Sequence, residues 1–169
     1  DYAARRSGTG NAGVKMKKLI FIQLALGLFQ IGQAVRNEVE LHPEMEKGMD
    51  VCGGRVRLER LHNRGTAGGK MEGHMPAIAG TSGLITAGCA ACFLRLLWKE
   101  DRDLQKTGFA FLVGGALSNL YERCKKGYVV DYLRFRLPNG KLGRLVFNLA
   151  DLFIFAGALM ISIGQKERV

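Results

Sequence analysis

The sequence has few of the residues that build disulfide frameworks and metal centres. Its 169 residues include four cysteines and three histidines. Cys89 and Cys92 lie in an apolar stretch where packing is the expected role, while Cys52 and Cys124 could pair. The three histidines fall in one loop without ligand spacing. The sequence therefore gives no basis for a metal site.

Charge is also missing, or nearly so, from four long stretches. They are residues 19–35, 77–98, 107–120 and 145–164. The second contains only Arg95, near its end, and the fourth contains only Asp151. Because a helix rises about 1.5 Å per residue, about 20 residues cross a hydrocarbon core of about 30 Å. The third stretch reaches that length when it is extended by a turn, so the sequence predicts four transmembrane helices.

Two alternatives to these transmembrane spans are a soluble helical bundle and a cleaved secretory signal. The helices of a soluble bundle carry charge on their outer face at every turn, whereas here Gly, Ala, Ser and Thr stand at those positions. Small residues such as Gly80, Gly83 and Gly88 suit close packing of helices in lipid. The first stretch could also be a cleaved secretory signal after a basic start, but it lacks a short cleavable end.

The spans organise the chain into one membrane domain over residues 16–169, with two longer loops at 36–76 and 121–144. Met16, followed by two lysines, is typical of a natural start. Residues 1–15 are therefore interpreted as a disordered extension or an expression remnant. No internal repeat or low-complexity linker divides the rest.

The net charge of +10 does not indicate a nucleic-acid partner. The loop at 36–76 contains seven basic and seven acidic residues, so its charges balance. The basic surplus lies in the N-terminal tail, in the connection at 95–106 and at the C-terminus. Since the positive-inside rule weights short segments most, this distribution favours cytoplasmic N- and C-termini and two outer loops.

Both outer loops carry strand patterns. Residues 55–62 alternate between apolar and charged side chains, which predicts a strand or hairpin. In the second loop, Pro138-Asn139-Gly140 separates residues 132–137 from residues 141–145. These three residues predict a turn within a small hairpin on the same face as the first loop.

Two aspartates stand where apolar segments meet connecting chain. An ionised carboxylate at a bilayer centre costs about 2.5–3.5 kcal/mol. An aspartate within an apolar stretch, such as Asp151, is therefore expected to have a specific role. With cytoplasmic termini, Asp131, Asp151, Asn119 and Asn148 all gather at the outer face. If the helix runs from Leu145, Asp151 lies about 9 Å deeper and shares a helix face with Asn148. Two close carboxylates cannot both ionise easily, so one keeps a proton and the other acts as a base that activates water for peptide hydrolysis.

Each of these residues also has a simpler explanation. Asp151 could be a charge that the helix dipole favours at a helix start, and Asp131 could be a solvated loop acid. Asn119 and Asn148 could be hydrogen-bonding groups between helices. The conjunction of all four favours a catalytic site.

Four segments carry a more specific pattern. They are residues 62–67, 114–123, 127–132 and 147–151. In order and spacing they resemble bacterial lipoprotein signal peptidase, also called signal peptidase II, and with the four spans the likeness covers most of the chain from Met16. The resemblance implies an α-helical integral membrane protein of the bacterial inner membrane, with four transmembrane helices and a small extracytoplasmic β-cradle.

The resemblance also implies an activity. Such a protein is an intramembrane aspartyl endopeptidase that removes signal peptides from diacylglyceryl-modified prolipoproteins by cutting before the lipidated cysteine. Asp131 and Asp151 match the catalytic pair, with Asp131 expected in the more solvated environment. The substrate-binding or supporting positions are Asn63, Asn119, Glu122, Arg123 and Asn148. The implied partners are prolipoproteins and membrane lipids, without metal, organic cofactor or nucleic acid, and the expected state is a monomer.

Three positions depart from the family's pattern. Glu122 replaces an aspartate, Ser118 stands where glycine is usual, and Gly32 stands where an acidic residue precedes Gln33. A catalytically silent relative that binds lipidated proteins as a membrane adaptor is therefore the alternative. A small transporter is a more distant one, but the polar positions cluster at one face and leave no route across.

Overall fold

Helices dominate the part of the chain that the structure describes. The computed structural model describes residues 2–65, 75–136, 143 and 145–166. The helices are α1 (Tyr2–Leu41), the short α2 (Glu44–Lys47), α3 (Met75–Leu96), α4 (Asp103–Lys126) and α5 (Leu149–Lys166). The strands are β1 (Met49–Val51), β2 (Val56–Asn63), β3 (Val129–Phe135) and β4 (Val146–Phe147).

Three of the helices are long and apolar enough to cross a membrane. Within the described residues these candidate spans are Lys15–Leu41, Pro76–Leu96 and Leu149–Lys166. They correspond to the first, second and fourth predicted spans. The predicted third span, residues 107–120, lies within α4, which is not among the candidates. A fold with membrane-spanning helices is therefore confirmed, but the number four is not.

The first helix extends beyond its predicted span at both ends. Its backbone is already helical at Tyr2, within the segment that the sequence assigns to an extension. The domain boundary at residue 15 stays a prediction. At the other end α1 stops at Leu41, two residues before Pro43, as expected because proline disfavours helical geometry in the residue before it.

The fourth helix is the centre of the helical packing, in contact with α1, α3 and α5. Glycines permit this close approach. A Cβ atom at Gly114 would lie 2.6 Å from the Ala25 carbonyl oxygen of α1, and one at Gly115 would lie 2.5 Å from the Ala150 carbonyl oxygen of α5. Because α4 is enclosed, it buries polar side chains that a lipid-facing helix would not tolerate. Those buried polar residues are Gln105, Lys106, Ser118, Asn119 and Glu122.

The strands form one antiparallel sheet in the order β1-β2-β3-β4. The strand predicted at 55–62 is confirmed as β2. In the second loop, β3 pairs with β4 through Leu133 opposite Phe147 and Arg134 opposite Val146. The prediction of a partner strand at 141–145 is wrong for Leu145, which precedes the strand. The predicted turn at Pro138, Asn139 and Gly140 lies outside the described residues.

The sheet is fixed to the helices at the end where α4 stops. Gly127 ends α4 in the left-handed conformation, with φ 75°, and its N–H donates to the Arg123 carbonyl. This turn sends the chain directly into β3. Val130 and Tyr132 of β3 then pack against Val39 of α1. The connection brings Asp131 close to the start of α5.

Candidate active site

Asp131 lies in the middle of β3, between two buried neighbours, and is itself only 3% exposed. Each of its carboxyl oxygens accepts one amide hydrogen bond. Asn148 Nδ2 donates to Oδ1 at 2.7 Å, and Asn63 Nδ2 at the end of β2 donates to Oδ2 at 2.9 Å. Burial raises the pKa of Asp131 to about 6 and outweighs the two amide donors, which lower it. The expectation that Asp131 is the more solvated aspartate is wrong, because Asp151 is the less buried of the two.

Asp151 belongs to the first turn of α5. The expectation that helical rise places it about 9 Å deeper than Leu145 is wrong, because α5 begins at Leu149 and Val146 and Phe147 form β4. Asn148 therefore does not share a helix face with Asp151 but precedes the helix as its cap. Asn148 Oδ1 accepts from the Asp151 N–H at 3.1 Å, and Asp151 Oδ2 accepts from the Asn148 N–H at 3.0 Å. These reciprocal bonds form a capping box.

Asn148 consequently joins the two carboxyls. Its side-chain amide donates to Asp131 while its backbone N–H donates to Asp151. The neighbouring Leu149 N–H donates to the Tyr132 hydroxyl of β3 at 3.0 Å, which fixes the helix start against the strand. The two aspartates line the same cavity, of about 130 Å³. The remaining wall is formed by Asn63, Asn119, Arg123, Val129, Leu145, Val146, Phe147, Asn148 and Phe155.

Asn119 of α4 supports Asp151 from the other side. Its Nδ2 donates to Asp151 Oδ1 at 2.8 Å, and its Oδ1 accepts from the guanidinium of Arg36. Arg36, in α1, is fully buried. It was not among the predicted site residues. Its sequence signal was the Gln33–Arg36 pair, two polar residues three apart at the end of an apolar span, which share a helix face.

Arg123 and Glu122 occupy different surroundings although they are adjacent in sequence. Arg123 lines the cavity of the two aspartates, and its Nε is buried without a hydrogen-bond partner among the described residues. Glu122 is fully buried and lines a second cavity between α1 and α4, of about 350 Å³. Lys126 Nζ lies 3.1 Å from Glu122 Oε1 as an ion pair, without hydrogen-bond geometry.

Gly32 and Ser118, two positions that depart from the family pattern, face each other across α1 and α4. A Cβ atom at Gly32 would lie 2.6 Å from Ser118 Oγ. The cysteines offer no link between the loops, because Cys52 and Cys124 are both free. Among the described residues, no group of three His, Cys, Asp or Glu side chains is arranged to hold a metal ion.

The sequence is similar to those of known proteins. The sequence pattern of the family described as Signal peptidase (SPase) II matches residues 23–165. Proteins named lipoprotein signal peptidase from Brucella ovis, Brucella canis and Brucella melitensis are 43% identical over 123 residues, which cover 68% of this chain and 72% of theirs.

The fold also has solved counterparts. One described as a bacterial membrane enzyme structure at 2.3 Å resolution has a TM-score of 0.72 and covers 88% of each chain. A second bacterial membrane enzyme structure, at 1.9 Å resolution, aligns with a TM-score of 0.70. The alignment covers 86% of this chain and 92% of the chain in that structure. Both are 20% identical to this chain, so they establish the fold alone.

Proposed function

The chain belongs to the signal peptidase II family, and from this membership we propose that Asp131 and Asp151 are its catalytic pair. It is an integral membrane protease that removes signal peptides from lipoproteins. The observation that carries the catalytic assignment is the double role of Asn148, which hydrogen-bonds both carboxyls at the wall of one cavity. A water molecule held between the two carboxyls would be the nucleophile.

The two environments favour different roles. Burial raises the pKa of Asp131, so this carboxyl holds a proton more readily and serves as the acid. Asp151, which accepts from Asn119 and Asn148, serves as the base. Asp151 takes a proton from water while the water oxygen bonds to the scissile carbonyl carbon, and Asp131 gives its proton to the carbonyl oxygen. The carbon–nitrogen bond then breaks as the nitrogen takes the proton from Asp151, and Asp131 recovers its proton from the hydroxyl group. The sum is the addition of one water to the peptide bond.

The substrate is a prolipoprotein cut before its lipidated cysteine. Phe155 lines the cavity and is also 57% exposed on the outer side of α5, so the cavity borders on the lipid-facing surface. Leu159 and Ile163 continue that exposed apolar strip along the same helix. Diacylglyceryl chains would lie along this strip while the peptide enters the cavity.

The helix ends support a fourth span and its orientation. Lys18 Nζ of α1 lies 3.2 Å from the centre of the Trp98 ring after α3, and Lys17 lies 4.0 Å from Asp103 at the start of α4. These ends are opposite the end of α4 that leads into the sheet. We assign α4 as a span and the lysine-rich face as cytoplasmic by the positive-inside rule. The dyad then lies at the outer face.

The test is processing of a diacylglyceryl-modified prolipoprotein, followed by gel shift. Asp131→Asn and Asp151→Asn should each slow cleavage by about 100- to 10,000-fold, the range of acid–base catalysis. Asp103→Asn, at an exposed carboxylate in the first turn of α4, is the matched control and should cleave at the wild-type rate. Retained processing by either dyad variant would overturn the assignment, and so would a wild-type protein that binds substrate without cutting it, which is the behaviour of the adaptor alternative.

A further inference from the structure

We propose that Ser118 is a positioning residue, whose hydroxyl holds Arg36 so that Asn119 presents its amide to Asp151. The inference rests on the proposed catalytic role of Asp151. Ser118 does not line the cavity of the two aspartates and is fully buried between α1 and α4. Its effect on the reaction would therefore pass through Arg36 and Asn119.

The Ser118 hydroxyl is a double acceptor for α1. Arg36 Nη1 donates to Ser118 Oγ at 2.6 Å, and Gln33 Nε2 donates to the same oxygen at 3.0 Å. Gln33 Nε2 also lies 3.0 Å from the Ser118 carbonyl oxygen. A hydroxyl oxygen has two lone pairs, so it can accept both donors at once. These bonds fix the guanidinium beside the next residue of α4, Asn119.

Arg36 decides which way the Asn119 amide faces. A guanidinium carries donors only, so the group that faces it must be the amide oxygen. The Asn119 NH₂ group then faces the other way and donates to Asp151 Oδ1. If Arg36 moved, the amide could turn its oxygen toward the carboxylate, where two acceptors would repel each other. The hydroxyl of Ser118 is thus connected to the Asp151 carboxylate through three successive hydrogen bonds, by way of Arg36 and Asn119.

Gly32 is the counterpart that this arrangement requires. Gly32 and Arg36 are four residues apart on α1 and so share a face of the helix. A Cβ atom at Gly32 would lie 2.6 Å from Ser118 Oγ, shorter than a carbon–oxygen contact allows, but 3.4 Å from Ser118 Cβ, which packing tolerates. Any side chain at position 32 must therefore push the hydroxyl away from Arg36, unless the hydroxyl is absent.

A double-mutant cycle with Gly32→Ala and Ser118→Ala tests the proposal, with kcat and KM measured for cleavage of the lipidated prolipoprotein. Each single variant should lower kcat by about tenfold, the loss of a hydrogen bond to a charged group, with KM unchanged. The double variant should be no slower than Ser118→Ala, because the clash needs the hydroxyl. The swap Gly32→Ser/Ser118→Ala returns a hydroxyl to the same space from the other helix and should recover most of the lost kcat.

The control is Gly114→Ala, which forces another contact between α1 and α4, at Ala25, without touching Ser118. The fold-change in kcat that Gly114→Ala causes should multiply with the fold-change that Ser118→Ala causes. Thermal unfolding in detergent should identify variants that fail to fold. Independent effects of Gly32→Ala and Ser118→Ala, a rise in KM with unchanged kcat, or no recovery by a folded swap variant would overturn the positioning role. If Asp151→Asn is inactive, those outcomes contradict the positioning role of Ser118 but not the catalytic role of Asp131 and Asp151. The two proposals can therefore be tested separately.

Discussion

Asn148 has two separable duties, one toward the helix and one toward the chemistry. Its side-chain oxygen caps α5, and its side-chain NH₂ holds Asp131. Serine is as good a cap as asparagine but cannot reach Asp131 with an amide. Asn148→Ser should therefore keep the unfolding temperature while kcat falls by about tenfold, since the hydrogen bond that orients the buried Asp131 carboxyl is lost.

Asn148→Ala is the matched comparison. It removes both duties and should lose the same activity together with about 1 kcal/mol of stability from the missing cap. Thermal unfolding in detergent and the gel-shift assay measure the two effects. If Asn148→Ser melted as early as Asn148→Ala, the separation of duties would be wrong.

The pH dependence of cleavage reports which aspartate holds the proton. Asp131 has a pKa raised to about 6, so it is protonated below that pH and ionised above it. If Asp131 is the acid, kcat/KM falls as pH rises through about 6. Bound peptide excludes water from the cavity and so raises the pKa of Asp131 further. The fall of kcat with rising pH should therefore occur at a higher pH than the fall of kcat/KM. A kcat/KM that instead rises through pH 6 would assign Asp131 as the base.

The residues of the site were predictable as types and in order, but their contacts were not. The motifs named Asp131, Asp151, Asn63, Asn119 and Asn148 before any geometry was known. The sequence could not reveal that Asn148 caps α5, because the apolar residues 145–147 continue without a break into the helix. Short apolar runs fit a strand as well as a helix, and here the pairing with β3 decided the outcome.

At the scale of helices, α4 and α5 touch through a pair of glycines. A Cβ atom at Gly157 would lie 2.5 Å from the Gly108 carbonyl oxygen, and one at Gly108 would lie 2.8 Å from the Gly157 carbonyl oxygen. Both contacts are with backbone, which cannot move aside cheaply. Gly108→Ala and Gly157→Ala should each cost about 1–3 kcal/mol of stability by overpacking, measured as a lower unfolding temperature.

Gly88→Ala is the control for this prediction. Gly88 also lies inside a helix, α3, but a Cβ atom there would meet nothing within 4 Å. Alanine is favoured over glycine in a helix by about 1 kcal/mol, so this variant should melt at the wild-type temperature or above it. Equal losses from all three variants would show that the glycine pair has no special role.

How clearly the sequence indicates each helix depends on how much of the helix surface is apolar and exposed. Segments of α1, α3 and α5 are recognisable in the sequence as apolar runs, because apolar side chains also occupy their exposed sides. The central α4 is surrounded by three other helices and carries Asn119 and Glu122 inside, which lowers its apolar content. The proposal that α4 is a span therefore rests on its packing rather than on its composition.

At the scale of the whole molecule, the proposed orientation can be tested with the cysteines. Cys52 is exposed in the turn between β1 and β2. In a variant that keeps only this cysteine, a membrane-impermeant maleimide should label intact spheroplasts. Glu100→Cys in a cysteine-free background, in the connection between α3 and α4, should react only after permeabilisation. The opposite pattern would invert the topology.

The order of helices and loops followed from the sequence because the bilayer imposes a length and an apolar composition on each lipid-facing span. The contact between the two longer loops could not be predicted from the sequence. Asn63 and Asp131 are 68 residues apart in sequence and meet only because β2 pairs with β3. No local pattern encodes that pairing.

The capping box has a consequence for inactivation by heat. Helix ends open before helix centres, with a smaller free energy than global unfolding. Asp151 is one of the two residues that close the first turn of α5, so fraying of that single turn would leave its carboxylate held by Asn119 alone and out of position for catalysis. Catalysis should then be lost reversibly on warming, several degrees before the helices themselves melt, and the enzyme's working temperature would be set by one turn of one helix.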